Sequence, residues 1–183
     1  LCALILLWRR GVAAYITAFT WQSVVLGALT AAVAYFGHDP QLYVVAVLLF
    51  GIKAVAIPKL LRRVSQRFTA GRQSAPYVNT ATSLLVSGLL VLLAYAAARP
   101  LEAVADSPTR AGMPLAMGLL FISLFIIISR KLAITQVIGF LMLENAIALL
   151  AVLATYGVPL IVELGVFLDA LMGFIVMQIF LYD

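Results

Sequence analysis

The chain has 183 residues, of which 65% are hydrophobic and 10% charged, with a net charge of +5 and a mean hydropathy of +1.15. Soluble domains are about a quarter charged, so this composition excludes an ordinary soluble domain and points to an integral membrane protein. Apolar runs of roughly 17 to 25 residues recur, the length an α-helix needs to cross about 30 Å of hydrocarbon, and the absence of strict period-two alternation argues against a β-barrel.

Seven apolar segments follow in chain order, at about 1–8, 12–36, 42–57, 78–98, 113–129, 133–156 and 159–182. They predict an all-α, polytopic membrane helix bundle of about seven transmembrane segments. The first reaches Trp8-Arg9-Arg10 too soon to span and reads as the end of a helix that starts before Leu1; no small-residue cleavage site follows it. Cys2 is the only cysteine, can form no disulfide within the chain, and is given no role. Pro40, Pro58, Pro76, Pro100, Pro108, Pro114 and Pro159 are all expected at or outside segment ends, where a missing amide donor costs least.

Charge sets the expected orientation. Arg9 and Arg10, then Lys59, Arg62, Arg63, Arg67 and Arg72, then Arg130 and Lys131 place nine basic residues in the first, third and fifth loops. The even loops hold Arg99 and Arg110, offset by Glu102 and Asp106. Basic residues collect in cytoplasmic loops, which predicts a multi-pass protein of the cell inner membrane with its N-terminus outside and its C-terminus cytoplasmic. The positive charge is therefore assigned to insertion and anionic lipid, and no nucleic-acid partner is expected. There is no glycine-rich phosphate loop, metal-ligand cluster or serine-histidine-acid set, and the lone His38 lies in a Gly-His-Asp-Pro turn. Neither a catalytic residue nor a metal site is expected, and the chain is not expected to be an enzyme on its own.

Four ionisable residues fall within the apolar segments: Lys53, Glu144, Glu163 and Asp169. A charge at the bilayer centre costs about 2.5 to 3.5 kcal/mol on insertion scales, so such residues face the bundle interior and mark ion or proton paths. At a rise of about 1.5 Å per residue, Glu144 lies roughly 16 Å into its segment and Asp169 roughly 15 Å into the next, both near the midplane. Glu163 is shallower, and Lys53 lies about one and a half turns from Pro58. The stem of Lys53 has two readings, running out to the interface or meeting an intramembrane carboxylate, on this chain or on another subunit. Gln136, Phe140 and Glu144 share a face with Asn145 beside it, so Gln136 and Asn145 are expected to give Glu144 polar support. Gly165, Asp169 and Gly173 share a face suited to close helix approach.

The stretches "SRKLAITQVIGFLMLENAIALL" (129–150) and "IVELGVFLDALMGFIVMQIF" (161–180), with "KAVAIPKLLRR" (53–63) and "TWQSVV" (20–25), resemble the hydrogenase 4 component E family, membrane subunits of complexes that contain a nickel-iron hydrogenase. The last three segments also resemble the K subunit of respiratory complex I and the C subunit of Mrp cation/proton antiporters. In the K subunit, two intramembrane glutamates are implicated in proton translocation. Matched on Ile138-Gly139 and Asn145-Ala146, the second of these falls on Asp169 and the first on Leu141. Glu144 is displaced from that position by three residues, about 60° around the helix and roughly 4.5 Å along it.

The resemblance implies a noncatalytic membrane subunit whose intramembrane acids contribute to proton or sodium movement. The resemblance also implies packing against antiporter-like subunits and a cytoplasmic redox arm. The nickel-iron centre and iron-sulfur clusters then belong to partner subunits, with no cofactor bound by this chain. A subunit of a Mrp-type antiporter and a purely structural adaptor are the competing readings. The chain is expected to divide into an N-terminal part at 1–76, a fourth helix and outer loop at 77–111, and a K-subunit-like unit at 112–183.

Overall fold

The computed structural model describes residues 11–38, 40–68, 79–104 and 110–155. The segments expected at 1–8 and 159–182, and with them Glu163 and Asp169, lie outside the described residues. In chain order the elements are α1 (Val12–Gly37), α2 (Pro40–Leu48), a π-helix (Leu49–Ala56), α3 (Ile57–Phe68), α4 (Thr80–Val104), a 3-10 turn (Arg110–Gly112), α5 (Met113–Ser129) and α6 (Ala133–Thr155). There is no strand among the described residues, and the protein is an all-α membrane helix bundle.

Among the described residues four helices are long and apolar enough to cross a membrane: Val12–Gly37, Ala81–Pro100, Arg110–Ser129 and Ala133–Ala154. The apolar stretch expected at 42–57 falls within a fifth rod, in which α2, the π-helix and α3 follow one another from Pro40 to Phe68.

Two prolines expected at segment ends lie inside helical runs instead. Pro58 is the second residue of α3, and the rod continues beyond it for ten more residues. Its ring crowds the carbonyl four residues back, that of Ala54, which sits in the wider π turn; the wider turn relieves the clash. Pro100 lies within α4, which runs on to Val104. The carbonyl that loses a donor there belongs to Ala96, an exposed residue near the helix end, where the loss costs least. Pro114 sits in the first turn of α5, where its amide donor would have had no helical partner. His38 ends α1 in the left-handed region at φ 53°, and its side chain is exposed, as a turn residue should be.

Two core clusters fix the helix directions. At one end Tyr15 and Ile16 of α1 pack with Leu61 and Val64 of α3, Ile126 of α5 and Ile138 of α6. At the other, Leu26 and Val33 pack with Leu49 of the π-helix and Val152 of α6. Helices α1 and α6 therefore run parallel, with the Pro40–Phe68 rod and α5 antiparallel to them. Lys59, Arg62, Arg63, Arg130 and Lys131 consequently gather at one end of the bundle, the arrangement their loop order predicts.

Small residues permit close helix approach at two places. A Cβ on Gly27 of α1 would lie 2.9 Å from the ring of Phe50 on the π-helix, and one on Gly139 of α6 would lie 3.3 Å from the Ile127 backbone nitrogen on α5.

Candidate functional site

Glu144 is the middle residue of the 23-residue helix α6, and its side chain is buried. The π-helix brings Lys53 to it, with Nζ 3.6 Å from Oε1. Lys53 is 1% exposed, so its stem does not run to the interface. Of the two readings open for this lysine the intramembrane carboxylate is the one realised, and that carboxylate lies in the same chain. At 3.6 Å the contact is an ion pair longer than an optimal hydrogen bond.

The local backbone explains how a lysine ahead of Pro58 reaches the depth of the α6 midpoint. At the end of the π-helix the Ile57 N–H donates to Ile52 O, five residues back. Such wide turns are rare and are found frequently at functional sites. Each turn holds more residues than an α turn, which changes the angular position of Lys53 relative to the flanking helices.

A second polar contact lies beside the ion pair. Asn145 Nδ2 donates to Ser23 Oγ of α1 at 3.0 Å, and both side chains are buried. Thr20 and Thr30 donate to carbonyls four residues back on α1 itself, whereas Ser23 joins two helices. Among the described residues no hydrogen-bond donor meets the buried acceptors Glu144 Oε2, Asn145 Oδ1 and the neighbouring Gln22 Oε1. A polar layer thus crosses the bundle at mid-height, drawn from α1, the π-helix and α6.

Gln136 is not part of that layer. Its Nε2 donates to Arg130 O at 2.9 Å, two helical turns from Glu144, and it holds the α5–α6 turn rather than the acid. The reason lies in its position: as the fourth residue of α6 it is still within reach of the preceding loop. Thr135 assists by donating to Leu132 O at 2.7 Å. Arg130, read from the sequence as a loop base, is 1% exposed and stands 5.4 Å over the Tyr15 ring, a cation–π geometry.

Leu141, where the complex I comparison places an acid, is 3% exposed and belongs to the apolar cluster at the basic end of the bundle. The acid one turn on, Glu144, occupies the polar layer instead. Glu163 and Asp169 lie outside the described residues. Among the described residues no group of His, Cys, Asp and Glu is placed to hold a metal ion.

Ser23, Gln22 and the Arg130–Tyr15 pair were not singled out as site residues by sequence reasoning. Ser23 and Gln22 do lie in the "TWQSVV" stretch, and their adjacent polar side chains in an apolar run were the available signal.

No family model matches the chain, and no solved structure does so. It is 37% identical over 180 residues to the uncharacterized protein Rv0085 of Mycobacterium tuberculosis, spanning 98% of this chain and 82% of that protein. It is 23% identical over 159 residues to hydrogenase-4 component E of Escherichia coli K12, spanning 87% of this chain and 74% of that protein. The same protein of Shigella flexneri matches equally. The chain belongs to the family of the Mycobacterium tuberculosis protein Rv0085 and is a distant homologue of hydrogenase-4 component E.

Proposed function

We propose that this chain is a noncatalytic membrane subunit of a hydrogenase-type, complex I-like assembly, and that Lys53 and Glu144 form part of a buried path for protons or sodium ions. The observation that carries the reading is the ion pair at mid-height of the bundle, held between the π-helix and α6. Two charges in a membrane interior are costly singly and tend to be retained where they pair or carry ions. A carboxylate beside an ammonium changes its readiness to take up a proton whenever the separation changes, because the interaction falls with distance. That dependence is what couples proton movement to a shift of the π-helix against α6.

Asp169 and Glu163 extend the path towards the next helix in this reading. Antiporter-like subunits and a cytoplasmic redox arm complete it, with the nickel-iron centre and iron-sulfur clusters in those partners. The end that carries Lys59, Arg62 and Arg63 faces the cytoplasm on the basic-loop rule, and the membrane is the cell inner membrane.

The test uses purified complexes in proteoliposomes carrying Glu144→Gln, Lys53→Gln or Asp169→Asn. Ions moved per redox turnover should fall severalfold while redox turnover continues. A wild-type ratio in all three sinks the proposal.

A structural reading is also favoured by a specific observation, since the ion pair and the Asn145–Ser23 bond both tie α6 to its neighbours. The charge swap Lys53→Glu with Glu144→Lys separates the two. A purely structural pair should regain both assembly and pumping in the swap, whereas an ion path should regain assembly alone.

A further inference from the structure

Helix α3 presents a uniformly basic outer face. Lys59, Arg62 and Arg63, with Gln66 one turn on, are exposed, while Ile57, Leu61 and Val64 on the opposite side are buried against α1, α5 and α6. The spacing of three and four residues places the exposed set on one stripe. Glu144 is the only acidic side chain among the described residues whose exposure is defined, and it faces Lys53 at mid-height. Glu144 therefore does not reach the α3 stripe, and the charge of the stripe fits an anionic occupant.

Depth decides which kind of anion. The apolar part of the rod ends at Ile57, and at about 1.5 Å per residue Lys59, Arg62 and Arg63 follow roughly 3, 8 and 9 Å further along. The headgroup zone occupies roughly 5 to 8 Å on each side of the hydrocarbon. The stripe thus begins within the layer of lipid phosphates and ends at its outer edge, pointing away from the helices that bury its other side. Guanidinium groups bind phosphate oxygens in pairs through parallel N–H donors.

We infer that the outer face of α3 is a binding surface for the headgroups of anionic phospholipids, with Lys59, Arg62 and Arg63 as the phosphate-binding residues. The surface is independent of any ion-carrying role of Lys53 and Glu144. Because α3 continues directly from the π-helix, lipid held there anchors the rod on which Lys53 sits.

The test is native mass spectrometry of the full chain in detergent, titrated with phosphatidylglycerol or phosphatidylcholine of matched acyl chains. The wild type should bind phosphatidylglycerol preferentially. Neutralising Lys59→Gln, Arg62→Gln and Arg63→Gln should lower that preference by about fivefold per residue removed, about a hundredfold in all. The charge-preserving set Lys59→Arg, Arg62→Lys and Arg63→Lys should retain most of it, and Arg99→Gln with Arg110→Gln, at the other end of the bundle, should leave it unchanged.

Should the neutralised chain fail to fold, the wild type alone still decides the matter. Raising ionic strength from about 0.05 to about 0.5 M should weaken phosphatidylglycerol adducts and spare phosphatidylcholine. The inference is overturned by equal binding of the two lipids to the wild type, by salt-independent preference, or by an equal loss in the Arg99/Arg110 variant. It is also overturned if lipid adducts survive in the neutralised chain while an acidic protein partner is lost from the purified complex, which would make the stripe a protein interface.

Discussion

Replacing Glu144 alone should destabilise the bundle far more than replacing Glu144 and Lys53 together. The two side chains lie 3.6 Å apart and are both buried. At that separation, an effective dielectric constant of about 20 gives an attraction of about 4 to 5 kcal/mol. One-sided removal leaves a buried charge facing an apolar group, which costs about 3 to 5 kcal/mol in buried pairs, whereas apolar replacement of both partners is close to neutral. Glu144→Leu and Lys53→Met should therefore each lower stability by about 3 kcal/mol or more, and the double variant should return to within about 1 kcal/mol of wild type, a coupling of roughly 5 kcal/mol or more. Unfolding in mixed micelles with increasing dodecyl sulfate, followed by loss of helical circular dichroism, reads the four corners of the cycle. Additive single effects, or singles within about 0.5 kcal/mol of wild type, would refute the buried-pair geometry.

Three further outcomes are expected. Ser23→Ala and Asn145→Leu should each cost about 1 kcal/mol and couple in a double-mutant cycle, because each removes one end of the same hydrogen bond; independent effects would place the two side chains apart. Gly139→Leu should destabilise by about 1 to 3 kcal/mol through overpacking against α5, since even a Cβ there meets Ile127 at 3.0 Å, and cross-linking between α5 and α6 should report their wider separation. Tyr15→Leu should cost about 1 to 2 kcal/mol by removing the ring under Arg130, while Tyr15→Phe, which keeps the ring, should stay within about 0.5 kcal/mol in the same unfolding assay.

Helix positions were legible because a bilayer imposes both length and polarity. The stretches read at 12–36, 113–129 and 133–156 meet helices Val12–Gly37, Met113–Ser129 and Ala133–Thr155, and the loop charges gave the alternating directions that the core clusters display. What failed were the prolines. Pro58 and Pro100 do not act as stops, since a proline breaks one hydrogen bond and crowds one carbonyl, and a wider turn or an exposed carbonyl absorbs both.

The site was legible in part. Glu144, Asn145 and Lys53 stood out because a charge or amide in an apolar run is costly, which is a property of composition alone. That Lys53 meets Glu144 was not readable, because the π turn shifts the lysine's angular position and leaves no clear mark in the residue pattern. Gln136 misled for a related reason: it shares a stripe with Glu144, but a stripe fixes direction and not reach, and its amide is already committed to the Arg130 carbonyl. Ser23 carried only the weak signal of a polar side chain in an apolar run, because its partner lies on another helix and a serine by itself is common in membrane helices.

The long sequence separation of the ion pair bears on how the protein is made. Lys53 leaves the ribosome about 90 residues ahead of Glu144, an interval on the order of 5 to 18 seconds at about 5 to 20 residues per second. During that interval the rod from Pro40 to Phe68 has no Glu144 to meet, and its lysine favours the water-facing side of the insertion machinery over the lipid core. Full seating of the rod is then a late event that waits for α6, so ribosome-stalled chains ending before Glu144 should hold Lys53 within reach of water-soluble amine reagents, and longer ones should not.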